Sequence, residues 1–118
     1  MKAARPEPAR VDRQTAWLVL IGAAFFETAW AVGLEYADGF SNLRATAFVA
    51  VALVVSMAGL AAAVEVLPVG TAYAVWTGIG AVGTVLLGIV LFDESTSPVR
   101  LACIVAIVAG VAGLRLAG

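Results

Sequence analysis

Glu27 interrupts the apolar run Trp17 to Leu34, and Trp30 follows three residues later, on the same face if the run is helical. A carboxylate attracts cations, and so does the face of an indole ring. Tyr73 and Trp76, also three apart, share a face that Gly80 continues, and Ser56 lies near the centre of another apolar stretch. Hydroxyls of this kind can orient a carboxylate by hydrogen bonding. Plainer roles exist for four of the five: Trp30, Tyr73 and Trp76 as packing or lipid-facing aromatics, and Ser56 returning its hydroxyl to the helix backbone. Glu27 is hardest to explain that way. An ionised carboxylate at that depth costs several kcal/mol unless it is partnered, and the basic residues of the chain all fall elsewhere.

The depth follows from composition. Hydrophobic residues make up 63%, charged residues 13%, and the mean hydropathy is +1.04, values that belong to a membrane protein. At about 20 residues per span, 118 residues leave room for roughly four or five spanning helices and no soluble domain. A net charge of −1 argues against a nucleic-acid partner, which needs a concentrated basic surface. The one cysteine, Cys103, has no partner for an internal disulfide and reads as a small apolar residue. Without histidine there is no recognisable metal-ligand set and no base for a nucleophilic triad, so neither an enzyme nor a cofactor site is expected.

Charges and breakers divide the chain. Residues 1–14 carry Lys2, Arg5, Arg10 and Arg13 with Pro6 and Pro8, a composition expected to form a disordered basic tail. A tail followed by Ala16 to Phe26 and Ala29-Trp30-Ala31 also resembles a signal peptide, but cleavage there would leave only three spans. A retained first helix over 16–34 is the simpler account. Further helices are expected over 45–64, 71–92 and 99–116, separated by Glu35, Asp38 and Gly39, by Glu65, Pro68 and Gly70, and by Asp93-Glu94-Ser95 and Pro98. Arg100 and Arg115 lie near enough to the ends to snorkel, and the acidic residues Glu35, Glu65, Asp93 and Glu94 read as solvated boundary charges. The architecture expected is an all-α, four-helix membrane domain over 15–118.

Helices in lipid approach closely through small residues at four-residue spacing. Gly80, Thr84 and Gly88 form one such row. Ala102, Ala106 and Gly110, with Ala109 and Gly113 beside them, form another, which suits either packing within the chain or a dimer seam. Size favours the seam, because four helices of this length cannot enclose a solvated path for a charged solute. A second copy or close paralogue would bring a second Glu27 to a shared chamber near the midplane, where transporter sites commonly lie.

Glu27-Thr-Ala-Trp30, Gly39-Phe40, and the run from Leu67 through Pro-Val-Gly-Thr-Ala-Tyr73-Ala-Val-Trp76-Thr-Gly-Ile to Gly80 resemble the small multidrug resistance family of transporters over nearly the whole chain after Gln14. Trp30, where multidrug members usually carry glycine, resembles the guanidinium-exporting branch. The resemblance implies an antiparallel dimer in a bacterial plasma membrane that exchanges a small organic cation outward for protons inward. Carried over by position, Glu27 would bind proton or guanidinium in turn, with Trp30, Ser56, Tyr73 and Trp76 around it. Gly78, Gly80 and Gly83 would let the third helix bend during alternating access, and the fourth-helix row would be the dimer seam.

Guanidinium is planar with a fork of donors that matches carboxylates bidentately, so two copies of Glu27 could clamp it. Protons would compete for the same oxygens, which couples the two movements. On the side bearing both termini stand Lys2, Arg5, Arg10, Arg13 and Arg115, against Arg44 and Arg100 opposite, which favours termini inside. An antiparallel homodimer must overcome that bias in half its copies, so a paralogous partner is the alternative to a second identical chain. Two rival functions are export of quaternary ammonium or aromatic cations through the same fold, and a non-transporting membrane scaffold, for which Glu27 would be dispensable.

Overall fold

The computed structural model describes residues 12–117. They form four helices: α1 (Arg13–Ala37), α2 (Leu43–Ala63), α3 (Val69–Phe92) and α4 (Pro98–Ala117). Each is long enough to cross a bilayer, with a mean hydropathy between 1.7 and 2.2, and the chain is a multi-pass membrane protein. At 1.5 Å per residue the 25-residue α1 is about 37 Å long, more than a hydrocarbon core of about 30 Å, which a modest tilt absorbs. The basic tail expected over 1–14 falls outside the described residues as far as residue 11. Its last two positions do not belong to a tail, because Arg13 and Gln14 are the first turn of α1.

Local chemistry explains the boundaries. The Asp12 carboxylate accepts from the Thr15 amide at 2.7 Å, the usual N-cap arrangement, and that hydrogen bond holds its carboxyl below the ordinary carboxylate range. At the other end Asp38, Gly39 and Phe40 all adopt left-handed φ, reversing the chain within a few residues. Asn42 then caps α2 by accepting from Ala45 at 3.2 Å, while its amide nitrogen donates to the Tyr36 carbonyl at 3.1 Å. One side chain thus closes one helix and opens the next. Pro68 precedes α3 and Pro98 begins α4, where a missing N–H costs nothing.

The core is a stripe along α1. Ala16, Trp17, Leu20, Ala23 and Ala24 recur at helical spacing and meet Ala63 and Leu67 at the α2 end and Ala72, Val75 and Trp76 from α3. α1 therefore packs against both α2 and α3, whereas α4 touches α3 and has no buried residue. The α1–α2 crossing is set by a glycine: a β-carbon added at Gly59 would stand 2.7 Å from the Ala23 side chain. Gly59→Ala is expected to lower stability by about 1–3 kcal/mol, the usual cost of overpacking, read as a lower thermal midpoint of the detergent-solubilised protein. Gly22→Ala, with nothing within 4 Å of its added β-carbon, is the control.

The outward faces are apolar. Val51, Val54, Val90 and Val105 are each more than 60% exposed, a surface suited to lipid or to another helix. Ala102, Ala106, Ala109, Gly110 and Gly113 are all exposed on α4, and among the described residues no neighbouring helix comes within 4 Å of a β-carbon built at Gly110 or Gly113. This row is not used for packing inside the protomer.

Candidate functional site

Glu27 lies two residues past the middle of α1 and presses against α3 at Gly80, where a methyl group would overlap the carboxylate itself. Its Oε1 is buried and has no hydrogen-bond partner among the described residues. The indole N–H of Trp30, one turn on, is likewise buried without a partner. A buried polar atom left unpaired costs about 1–3 kcal/mol, and two of opposite character, an acceptor and a donor, stand on one helix face. A site that binds something there recovers those costs.

Ser56 and Trp76 are joined differently from the expectation. Ser56 Oγ gives its proton to the Ala23 carbonyl at 2.7 Å and accepts from Trp76 Nε1 at 2.9 Å. The serine is wholly buried, and Trp76 nearly so. Its proton is thus committed to backbone, so Ser56 orients Trp76 and ties α1, α2 and α3 together; it does not reach the Glu27 carboxylate with a donor. Because Ala23 is one turn before Glu27, this three-helix knot still fixes the segment that carries the carboxylate.

Tyr73 behaves in the opposite way. Its ring leans on Trp76 at 5.7 Å between centroids and 42°, yet more than half of the side chain is exposed. The tyrosine faces out of the protomer, open to whatever lies beside it.

Each of the three expected hinge glycines admits a neighbour. Gly78 receives Val111 of α4, Gly80 receives Glu27, and Gly83 receives Thr28. α3 runs through all three as continuous helix. In this conformation their missing side chains serve close approach, on two different faces.

The row Gly80, Thr84 and Gly88 faces α1. Thr84 and Gly88 line a cavity of about 270 Å³ together with Ala31, Leu34 and Glu35, and its outer end is bounded by Glu94 and Arg100. The latter two form an ion pair at 2.6 Å, Arg100 also donates to the Ser95 carbonyl at 3.2 Å, and Gly88 leaves room for the Glu94 carboxylate. Glu94 is therefore a boundary charge that stays exposed and is also paired, and it folds the α3–α4 connection back on α3. Sequence spacing hides this contact, since it depends on residues 93–97 turning back.

Thr28 was also missed. It is buried, and its hydroxyl donates to the Gly80 carbonyl at 3.0 Å, across from α1 to α3. A threonine directly after a mid-span glutamate was a visible signal. By itself it is a weak signal, because a threonine hydroxyl can satisfy itself on its own helix.

Fold and site together define a small four-span membrane protein with a half-buried carboxylate at mid-depth whose Oε1 has no partner among the described residues, the arrangement of a membrane transporter for cations. The family model described as "Small Multidrug Resistance protein" matches residues 15–107, and the chain belongs to that family. It is 54% identical over 101 residues to a protein of Escherichia coli K12 named "Guanidinium exporter", covering 86% of this chain and 96% of that one. Proteins of the same name from Salmonella typhimurium LT2 and Citrobacter freundii are each 52% identical over 101 residues, with the same coverage.

Proposed function

We propose that this protein exports guanidinium and small substituted guanidinium cations across a bacterial plasma membrane in exchange for protons, acting as a transporter and not as an enzyme. The single observation that carries this is the buried Glu27 Oε1, an acceptor in a membrane span without a partner among the described residues. A guanidinium offers planar paired donors to such an acceptor. A proton satisfies the same oxygen, and since proton and cation exclude each other, movement of one is linked to movement of the other. The relatives' names supply the substrate class.

The roles around it are part of the proposal. Trp30 Nε1 is a donor and cannot serve a cation that carries donors only, so its N–H is left for a carboxylate and its ring face for the cation. Trp76, fixed by Ser56, presents Tyr73 at the outer edge of the site. The functional unit is an antiparallel dimer, in which a second copy, or a paralogous subunit of the family, covers the bare α4 face at Ala102, Ala106, Ala109, Gly110 and Gly113 and brings a second carboxylate. Gly78, Gly80 and Gly83 serve as the bend of α3 when access alternates.

The protein expressed alone, purified and placed in proteoliposomes should move guanidinium against an opposing proton gradient, with little response to a tetra-alkylated ammonium. Preference for the ammonium would give the site to bulky cations instead. Transport only when a paralogue is added would replace the homodimer by a heterodimer.

A further inference from the structure

Two consecutive residues of α1 dock on one strip of α3. Glu27 sits where Gly80 has no side chain, and Thr28 sits where Gly83 has none. Consecutive helical residues point about 100° apart, so both can meet one neighbouring helix only where its backbone is bare. The contact at Thr28 is directional. Its Oγ1 donates to the Gly80 carbonyl at 3.0 Å, and that carbonyl also accepts from Thr84 Oγ1 at 2.7 Å. The residue whose backbone adjoins the Glu27 carboxylate is thus the one to which Thr28 is bonded.

We propose that Thr28 is a positioning residue: its hydrogen bond to Gly80 sets the rotation and height of α1 against α3 and so holds the Glu27 carboxylate in its binding position. The inference rests on the reading of Glu27 as the binding carboxylate. Thr84 cannot do this, because its bond to Gly80 lies within α3 and links nothing to α1. The methyl of Thr28 packs beside Gly83 but has no direction. Only the hydroxyl defines an angle between the two helices.

Two measurements on the full-length protein test this. Labelling of Glu27 by dicyclohexylcarbodiimide, followed by mass spectrometry, reports the setting of the carboxylate without any substrate. Guanidinium transport in proteoliposomes reports KM and maximal rate separately. Thr28→Val is expected to label Glu27 severalfold faster and to raise KM about 3- to 10-fold, the range of a single interhelical hydrogen bond in a membrane, with a smaller change in maximal rate. Thr28→Ser restores both, and Thr84→Val changes neither. Thr28→Ala removes the hydroxyl without adding bulk beside Gly83, and gives the same readout if the valine disturbs packing. Unchanged labelling and KM in both Thr28→Val and Thr28→Ala would overturn the proposal, as would Thr28→Ser behaving like Thr28→Val. If the unaltered protein fails to move guanidinium while labelling still responds as expected, the substrate assignment falls and the positioning role stands.

Discussion

Glu27→Gln is expected to reduce guanidinium transport to the level of liposomes without protein and to abolish the accompanying proton flux, while the protein still purifies as a folded species. Glutamine keeps the shape of the side chain and one acceptor but loses the charge and the second acceptor of a bidentate pair. Removing one partner of a buried, hydrogen-bonded charge pair costs about 2–5 kcal/mol, or roughly 30- to 4,000-fold in affinity. The folded state bears no such penalty. Oε1 has no partner among the described residues, so neutralising the group breaks no hydrogen bond there and relieves a buried charge. A stable variant without transport is therefore the expected result, read by radiolabelled guanidinium uptake beside thermal unfolding. Residual coupled transport would remove Glu27 from the centre of the mechanism and revive the scaffold reading.

The second large effect is expected at Gly80→Ala. A methyl group there would occupy the space of the Glu27 carboxylate, so the carboxylate must swing away from α3 or the two helices must separate. Overpacking of this kind costs about 1–3 kcal/mol, roughly 5- to 150-fold in affinity if it falls on binding. Alanine also gains about 1 kcal/mol over glycine in a helix interior, which offsets part of the strain in the folded protein. Guanidinium affinity should therefore fall well out of proportion to any change in thermal midpoint. Gly70→Ala on the same helix, where nothing lies within 4 Å, should leave transport unchanged. Equal transport by the two variants would mean that the carboxylate does not work from its place against Gly80.

Glycine at these positions therefore reads two ways. In the sequence, Gly78, Gly80 and Gly83 suggest a flexible segment. In the folded chain each makes room for a particular partner, Val111, Glu27 or Thr28. The two readings are compatible: a helix held close to its neighbours through missing side chains has no bulky knobs to lift when it slides or bends. Bending would, however, strain the contact at Thr28, which ties a positioning role to the conformational cycle.

Some of the site could be read from residue types. An unpaired glutamate in an apolar span is conspicuous because hydrocarbon cannot solvate it, whatever the fold. Trp30 was legible as its neighbour by helical spacing alone. Ser56 could not be placed so simply, since a buried hydroxyl has several acceptors within reach, and packing gave its proton to Ala23. Glu94 reads as a solvated end charge and is exposed, but its pairing with Arg100 appears only when the α3–α4 connection folds back.

What the amino-acid sequence determined by itself was the class: four apolar helices, their approximate limits, a membrane setting and one expensive carboxylate. Hydropathy, length and breakers act locally, so they need no tertiary contact to take effect. Tertiary structure alone decided what each polar group does. It spent Ser56 on backbone, turned Tyr73 outward, joined Thr28 to Gly80, and left Glu27 Oε1 and Trp30 Nε1 unpaired among the described residues. It also left the small-residue row of α4 uncovered, because α4 meets the other helices through Val111, Leu114 and Arg115 on a different face. Hydrogen bonds are short-ranged and directional, and which donor meets which acceptor is settled only when the helices come together.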